Sequence, residues 1–177
     1  SELLPRGAIQ LVMGSLGDLL NILDFQDTVS FTGSASTALA LRSTPNILEN
    51  GIRFTAEQDS LNGSMLGPDV TPGSVEFDLF VSEVHREMTT KAGQKCTAIR
   101  RIIVPEAHME TVQLALKKRL ATTKIGHPAL KETQMGALVS LEQRDDVRAQ
   151  AEIIAKECEL IFDLSLIHIS EPTRPMN

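Results

Sequence analysis

The chain has 177 residues, of which 42% are hydrophobic and 23% charged, a balance typical of a soluble globular protein. Its net charge of -6 and aromatic content of 3% argue against nucleic acid as a partner, and no apolar run reaches the roughly 18 residues of a membrane helix. Two cysteines without secretory features suggest a reduced, cytoplasmic setting. The four histidines are scattered, so the sequence predicts no metal site.

The first part of the chain alternates predicted strands and helices. The apolar run at residues 8–13 predicts a buried strand, and leucines at helical spacing predict a short amphipathic helix over residues 15–23. A second strand is predicted at residues 28–31 and a helix at residues 35–41. Weaker strand patterns follow at residues 52–54 and 64–66.

The turn Thr32-Gly33-Ser34 joins the second predicted strand to its helix. A strand, a glycine-containing turn and a helix in this order can present backbone N–H groups to a phosphate. Ordinary capping of the helix by Ser34 explains the same residues more simply. The local pattern leaves both interpretations open.

The second part of the chain continues the alternation. From residue 74 a helix is predicted, with Glu87 away from an apolar face formed by Phe77, Phe80, Val81, Val84 and Met88. A strand at residues 99–104 precedes a helix at residues 106–122, which is predicted to bury Met109, Val112, Leu116 and Leu120. A last helix over residues 141–158 carries Cys158 on its apolar face, where it is predicted to be a core residue. Alternating strands and helices predict an α/β architecture with a largely parallel sheet.

Cys96 lies between polar residues, behind Gly93 and just before a β-branched strand. A reactive thiol is more common in such a setting than in a core, since the thiolate needs cations or helix-end amides nearby. Most free cysteines are nevertheless small hydrophobic residues. The residues around Cys96 permit either role.

Two motifs together reveal a family resemblance. They are Phe31-Thr32-Gly33-Ser34 and Gly93-Gln94-Lys95-Cys96-Thr97, with an acidic residue between them and an arginine-rich strand after the cysteine. In order and spacing, residues 3–162 resemble the aldehyde dehydrogenase superfamily. The resemblance implies a Rossmann-type parallel sheet with helices, in a fragment that spans the end of the cofactor domain, residues 1–72, and the start of the catalytic domain, residues 73–163.

The resemblance also implies roles for individual residues. Cys96 matches the nucleophile that attacks the aldehyde, and its backbone N–H would help to stabilise the oxyanion. Glu57 matches the glutamate that activates water, with Glu49 as a rival and a solvated surface carboxylate as the alternative for both. Phe31, Thr32, Gly33 and Ser34 match the turn at the cofactor pyrophosphate, and the implied cofactor is NADP or NAD.

Within the superfamily, residues 57–62, 66–72 and 86–96 most resemble the branch of bifunctional phenylacetate-degradation proteins. The implied substrate is a semialdehyde linked to CoA through a thioester, and the implied hydrolase domain lies beyond this fragment. The full-length protein is expected to be a homo-oligomer. Alternatives are a CoA-acylating or other semialdehyde dehydrogenase, or an inactive fragment that associates with intact subunits.

The final residues, 164–177, differ in character from the rest of the chain. Residues 164–174 resemble the in-frame translation of an adapter used in preparing sequencing libraries, and a weakly structured natural C-terminus is the alternative. The adapter interpretation predicts that the natural protein continues past residue 163. It also predicts that His168 has no function.

Overall fold

The structure, a computed structural model, describes residues 7–163, so the predicted tail at residues 164–177 lies outside the described residues. The described residues form two compact units, residues 7–59 and residues 60–163. Each unit contains a two-stranded parallel sheet with helices in the connections, which confirms the predicted α/β class. The division between the units lies upstream of the domain boundary predicted at residue 72. No helix within residues 7–163 is both long and apolar enough to span a membrane.

The first unit has the order strand, helix, helix, strand. Its elements are β1 (Thr28–Gly33), α1 (Ala35–Arg42), α2 (Pro45–Glu49) and β2 (Arg53–Gln58). β1 and β2 are parallel and pair over their whole length. α1 begins where the Ser34 Oγ accepts a hydrogen bond from the Thr37 N–H at 3.2 Å, a polar cap of the usual kind. Ala38, Ile47 and Ile52 are the buried apolar side chains of this unit.

The second unit carries a second parallel pair and three α-helices. Its elements are β3 (Asn62–Met65), α3 (Val75–Thr89), β4 (Ile99–Ile103), α4 (Met109–Ala121) and α5 (Leu141–Ile154). β3 pairs with β4, and the register shifts between Asn62 and Gly63. α3 begins where the Ser74 Oγ accepts from the Phe77 N–H at 3.2 Å, and acidic residues in its first turn suit the positive end of the helix dipole.

The core of the second unit lies under α3. Its buried members are Leu66, Phe77, Phe80, Val81, Val84 and Val112. Four of the five residues predicted on the apolar face of α3 are therefore in the core, whereas Met88 is partly exposed. On α4, Val112 and Leu120 are buried and Leu116 packs against the core, but Met109 is exposed. The helical periodicity thus identified the buried faces of both helices, with errors at their ends.

Replacing Phe77 with alanine should lower the free energy of unfolding by about 3–5 kcal/mol, because the lost ring leaves a cavity that the surrounding core fills only partly. Phe77 is 4% exposed, whereas Leu79 on the same helix is 58% exposed. Leu79→Ala is therefore a matched control that should change stability by well under 1 kcal/mol. Urea unfolding of both variants gives the comparison, and equal effects would contradict the assigned core.

Two elements predicted near the start of the chain do not form. Residues 8–13 have no strand structure, and Ile9, Leu11 and Met13 are largely exposed. Only a 3₁₀ turn, Leu19–Asn21, forms within the helix predicted at residues 15–23. The pattern predicted burial, but no strand within the described residues pairs with this segment to bury its apolar side chains.

The prediction for Cys158 is wrong. α5 ends at Ile154, and Cys158 is exposed rather than buried in a core. Val147 and Ile154, which share its predicted apolar face, are also exposed. A helical stripe of apolar residues shows which face can be buried, but burial requires a neighbouring element, and none in the described chain covers this face.

His85 on α3 gives the second unit a pH-dependent stability. Its Nε2 forms a 2.8 Å hydrogen bond with the Thr123 hydroxyl, while burial, aided by the positive charge of Arg119, lowers the His85 pKa below its ordinary value of 6.5. The folded state therefore binds this proton more weakly than the unfolded chain does. Stability should fall as the pH drops below 6.5 and on through the lowered pKa.

The measurement is the free energy of unfolding in urea at several pH values on either side of 6.5. His85→Gln removes the titrating group while keeping a polar side chain beside Thr123. This variant should flatten the profile in that range. An unchanged pH dependence in His85→Gln would assign the effect to other groups.

Candidate active site

Cys96 lies in the second unit, on the turn formed by residues 94–98, which we call the thiol turn. The thiol turn follows a 3₁₀ turn, Thr90–Gly93, and leads directly into β4. The Cys96 side chain is exposed and in no disulfide bond. Among the described residues, this exposure matches the reactive thiol better than the small buried hydrophobic residue.

The backbone entering the thiol turn is strained. Lys91 and Ala92 adopt φ angles of 53° and 54°, and Gly93 has a φ of 71°. The left-handed region costs a non-glycine residue on the order of 1–3 kcal/mol and persists only where surrounding contacts hold it. One such contact is a 3.0 Å hydrogen bond from Arg100 Nη2 to the Gly93 carbonyl. Strain of this kind is concentrated at functional sites in proteins.

The Cys96 carbonyl is held from outside the thiol turn. It accepts hydrogen bonds from the Ser60 hydroxyl and from Asn62 Nδ2, the latter at 2.5 Å. Asn62 Nδ2 also lies 3.3 Å from the Ala98 carbonyl. By contrast, the Cys96 N–H has no acceptor among the described residues. This N–H is therefore free to donate to an oxyanion formed beside the thiol.

A buried ion pair joins the thiol turn to α3. The Lys95 Nζ lies 2.7 Å from one carboxylate oxygen of Glu87, and Arg86 lies 3.0 Å from the other. Glu87 is 7% exposed. The hydrogen bond from Lys95 lowers the Glu87 pKa despite the opposing effect of burial, and the charges of Lys95 and Arg86 act in the same direction. Glu87 is therefore an ionised anchor for the residue that precedes Cys96.

The burial of Glu87 corrects the prediction that placed it away from the core face of α3. A signal for it was present in the sequence, since Glu87 follows Phe80 by seven residues and Val84 by three and thus shares their face of the helix. Because Glu87 is charged, it was assigned to the exposed side of the helix. An ionised carboxylate is rarely buried without a partner, and that partner, Lys95, became visible only in the folded structure.

The first unit contains the turn predicted to bind the cofactor. Phe31, Thr32 and Gly33 form the end of β1, and Ser34 caps α1 as the simpler interpretation predicted. The Phe31 ring packs directly against Gly33. A Cβ added at Gly33 would lie 2.5 Å from the ring Cζ, which is closer than real Cβ contacts. A larger residue at position 33 would thus displace the ring.

The N-terminus of α1 already binds an anionic group. The Ala35 N–H lies 3.2 Å from both carboxylate oxygens of Asp59, a residue with a φ of 46°. A free N–H at a helix N-terminus favours negative charge, so this contact uses the same chemistry that binds a phosphate. The turn is therefore suited to an anion. Sequence reasoning missed Asp59, although it lies only two residues after Glu57.

Glu57 lies on β2, directly opposite Thr32 on β1 in the parallel register. Its side chain is exposed, as is that of the rival Glu49 at the end of α2. The parallel pairing brings Glu57 and the Thr32–Gly33 turn to the same carboxyl edge of the sheet, the edge at which α/β proteins bind ligands. Glu49 is the last residue of α2 and does not lie at that edge.

A cavity of about 220 Å³ opens on the same unit, between α1 and β2. Its lining residues are Ala35, Ala38, Leu39, Arg42, Phe54, Ala56 and Gln58. None of the predicted site residues lines it. Within residues 7–163, no cluster of His, Cys, Asp or Glu side chains is arranged to hold a metal ion.

Comparison with known proteins places the chain in a family. The family model described as "Aldehyde dehydrogenase family" matches residues 2–168, which is nearly the whole chain. The chain belongs to the aldehyde dehydrogenase family. The resemblance inferred from the turn at residues 31–34 and the thiol turn is thereby confirmed.

Several curated relatives in the aldehyde dehydrogenase family are similar to this chain. A 3,4-dehydroadipyl-CoA semialdehyde dehydrogenase of Aromatoleum evansii is 44% identical over 160 residues, covering 90% of this chain and 31% of the relative. A betaine aldehyde dehydrogenase of Bacillus subtilis is 28% identical, covering 86% of this chain and 30% of the relative. The chain thus spans about a third of the length of the curated relatives that it matches.

Solved structures agree with the family assignment. The crystal structure of betaine aldehyde dehydrogenase from Staphylococcus aureus in complex with NAD+ is 27% identical, with a TM-score of 0.67. The match covers 74% of this chain and 25% of that protein. The α/β fold described above is therefore part of a known aldehyde dehydrogenase fold.

Proposed function

We propose that this chain is part of an NAD(P)-dependent dehydrogenase that oxidises a CoA-linked semialdehyde to the corresponding acid, with Cys96 as the nucleophile. The observation that carries this proposal is the thiol turn, where Cys96 is exposed and its N–H is free while its carbonyl is held by Ser60 and Asn62. Family membership supports the reaction class, since many of the family's members are named as aldehyde dehydrogenases.

The chemistry of this chain begins at the thiolate. Cys96 Sγ forms a bond to the aldehyde carbon, and the carbonyl oxygen becomes an oxyanion that the Cys96 N–H can stabilise. When bound, NADP or NAD supplies the hydride acceptor. The oxidised adduct is a thioester on Cys96. In our proposal Glu57 takes a proton from water, which then attacks the thioester and releases the acid and the free thiol.

The proposed cofactor site is formed by Phe31, Thr32, Gly33 and Ser34. The contact between the Ala35 N–H and the Asp59 carboxylate supports it, because it shows that the adjacent helix end binds negative charge. We further propose that this turn belongs to a cofactor domain ending near residue 72 and that residues 73–163 belong to the catalytic domain. The preference for NADP is inferred from the phenylacetate branch.

The proposed substrate class rests on the relative from Aromatoleum evansii, whose name specifies a CoA-linked semialdehyde and which is 44% identical. For this protein we propose 3-oxo-5,6-dehydrosuberyl-CoA semialdehyde, formed by a hydrolase domain in the same polypeptide. We also propose that the full-length protein is a cytoplasmic homo-oligomer. The two free cysteines are consistent with a reducing compartment.

A product analysis of the full-length protein tests the proposed reaction. The protein is incubated with NADP, and in parallel with NAD, and with either 3-oxo-5,6-dehydrosuberyl-CoA semialdehyde or the 3,4-dehydroadipyl-CoA semialdehyde named for the relative. Each incubation is done first without and then with added free CoA. NADPH formation and a free carboxylic acid in both conditions are the expected result. Products that appear only with free CoA and carry a second CoA thioester would identify the acylating alternative. An absence of NADPH and NADH formation with both substrates would overturn the proposal.

The 177-residue chain alone allows a separate test. Because it spans about a third of its relatives, we expect it to lack much of the cofactor site and to bind NADP weakly. A fluorescence or calorimetric titration with NADP measures this affinity. Tight binding would show instead that the 177-residue chain contains enough of the cofactor site for recognition.

A further inference from the structure

The Cys96 carbonyl has an unusual set of partners for an exposed turn. Ser60, just before β3, and Asn62, its first residue, donate to this carbonyl from 36 and 34 positions earlier in the chain. The backbone hydrogen bonds donated within the thiol turn are local, from the N–H groups of Gln94, Lys95 and Ala98 to the carbonyls of Lys91, Gly93 and Lys95 respectively. Local bonds of this kind shape the turn without fixing its orientation on the sheet. The side chains of Ser60 and Asn62 connect the Cys96 carbonyl to the segment that enters β3. Elsewhere in the thiol turn, Lys95 pairs with Glu87, and Gln94 Oε1 accepts a hydrogen bond from the Val139 N–H.

These contacts act on the peptide group that follows the thiol. The peptide plane is rigid, so holding the Cys96 carbonyl restricts rotation about the Cα–C bond of Cys96. Asn62 also contacts the Ala98 carbonyl, so one side chain holds two carbonyl groups of the segment that follows the Cys96 Cα. Because Asn62 is the first residue of β3 and is half-buried, it is itself supported by the sheet.

Because the backbone before the thiol turn is strained, the turn needs contacts that hold it in place. Lys91 and Ala92 are in the left-handed region, a conformation that tends to relax unless neighbouring contacts prevent it. A nucleophile displaced by about 1 Å can lose roughly 10²-fold in rate, because the reaction depends on precise approach to the carbonyl carbon. Contacts that hold Cys96 without touching the substrate therefore affect the chemical step.

Given the proposed nucleophilic role of Cys96, on which this rests, we propose that Asn62 is a positioning residue for Cys96 and acts together with Ser60 by holding the Cys96 carbonyl. The two side chains keep the thiol turn in one orientation on the sheet. Neither residue exchanges a proton with the substrate. Their loss should slow the formation of the thioester while leaving the thiol accessible.

The test uses the full-length protein and the variants Asn62→Ala, Ser60→Ala and Ser60→Thr. Asn62→Ala should reduce the rate of the first hydride transfer by about 10²-fold with little change in KM. Ser60→Ala should reduce it less, because Asn62 still holds the carbonyl, and Ser60→Thr should restore it by restoring the hydroxyl. Ser64→Ala, on the same strand, is the control and should behave as wild type.

Alkylation by iodoacetamide separates positioning from unfolding. This small reagent needs an accessible thiolate but not the orientation required for attack on the bound aldehyde. In Asn62→Ala, Cys96 should react at least as fast as in wild type, and exposed Cys158 in the same molecule provides the internal reference. Peptide mass spectrometry distinguishes the two sites.

Three results would overturn the proposal in distinguishable ways. If Asn62→Ala and Ser60→Ala keep the wild-type rate of hydride transfer while Cys96→Ala is inactive, Cys96 is the nucleophile and the positioning role is wrong. If Cys96→Ala remains active, the proposed function fails, and the positioning role fails with it. A fall in the Asn62→Ala rate accompanied by loss of Cys96 alkylation would indicate a general structural role instead.

Discussion

Replacing Cys96 with alanine in the full-length protein should reduce aldehyde-dependent formation of NADPH by at least about 10³-fold, because in our proposal the thioester forms on the Cys96 thiol. The fold should be retained, since the Cys96 side chain is exposed and its backbone contacts with Ser60 and Asn62 do not involve sulfur. The measurement combines NADPH absorbance with a thermal unfolding curve for each protein.

Cys158→Ala is the matched control for this experiment. Both cysteines are free and exposed, but Cys158 lies beyond α5 and outside the thiol turn. Its replacement should leave the rate unchanged. If Cys96→Ala oxidised the aldehyde at a rate near that of wild type, Cys96 would not be the nucleophile of this protein.

Replacing Glu57 with glutamine should slow steady-state turnover by about 10²–10⁴-fold, the usual contribution of a general base. The first hydride transfer should continue, because in our proposal Glu57 acts on the water that hydrolyses the thioester. A rapid mixing experiment should therefore show a burst of NADPH followed by a much slower phase. Trapping of acylated Cys96 by mass spectrometry would provide direct support.

Glu49→Gln is the control for Glu57→Gln, since Glu49 is the rival carboxylate of the same unit and is also exposed. It should retain both the burst and the steady-state rate. Loss of the burst itself in Glu57→Gln would point to a role before thioester formation. A slow phase in Glu49→Gln with none in Glu57→Gln would exchange the two assignments.

Local sequence patterns predicted much of the fold because their causes are local. The cap at Ser34 and the apolar face of α3 depend on residues within a few positions of each other, and both are present as predicted. The run at residues 8–13 shows the limit of this approach. Its composition favours a buried strand, but a strand requires a partner, and within residues 7–163 none pairs with it.

The site was predicted in part for the same reason. The thiol at Cys96 and the turn at residues 31–34 were proposed as site residues because the motifs that contain them are contiguous in sequence. Ser60 and Asn62 were not recognised as partners of Cys96, because no local pattern connects residues 34 to 36 positions apart. The ion pair between Glu87 and Lys95 was not predicted for the same reason, since no sequence pattern connects these two residues.

The sequence by itself determined the family, the α/β alternation of elements and the candidacy of Cys96, all of which follow from short motifs and helical or strand periodicity. Only the tertiary structure decided that Cys158 is exposed, that Glu87 is buried against Lys95, and that Asn62 holds the carbonyl of the proposed nucleophile. The physical reason is that burial and hydrogen bonding depend on which distant segments meet. Periodicity shows what a segment can bury, and packing determines what it does bury.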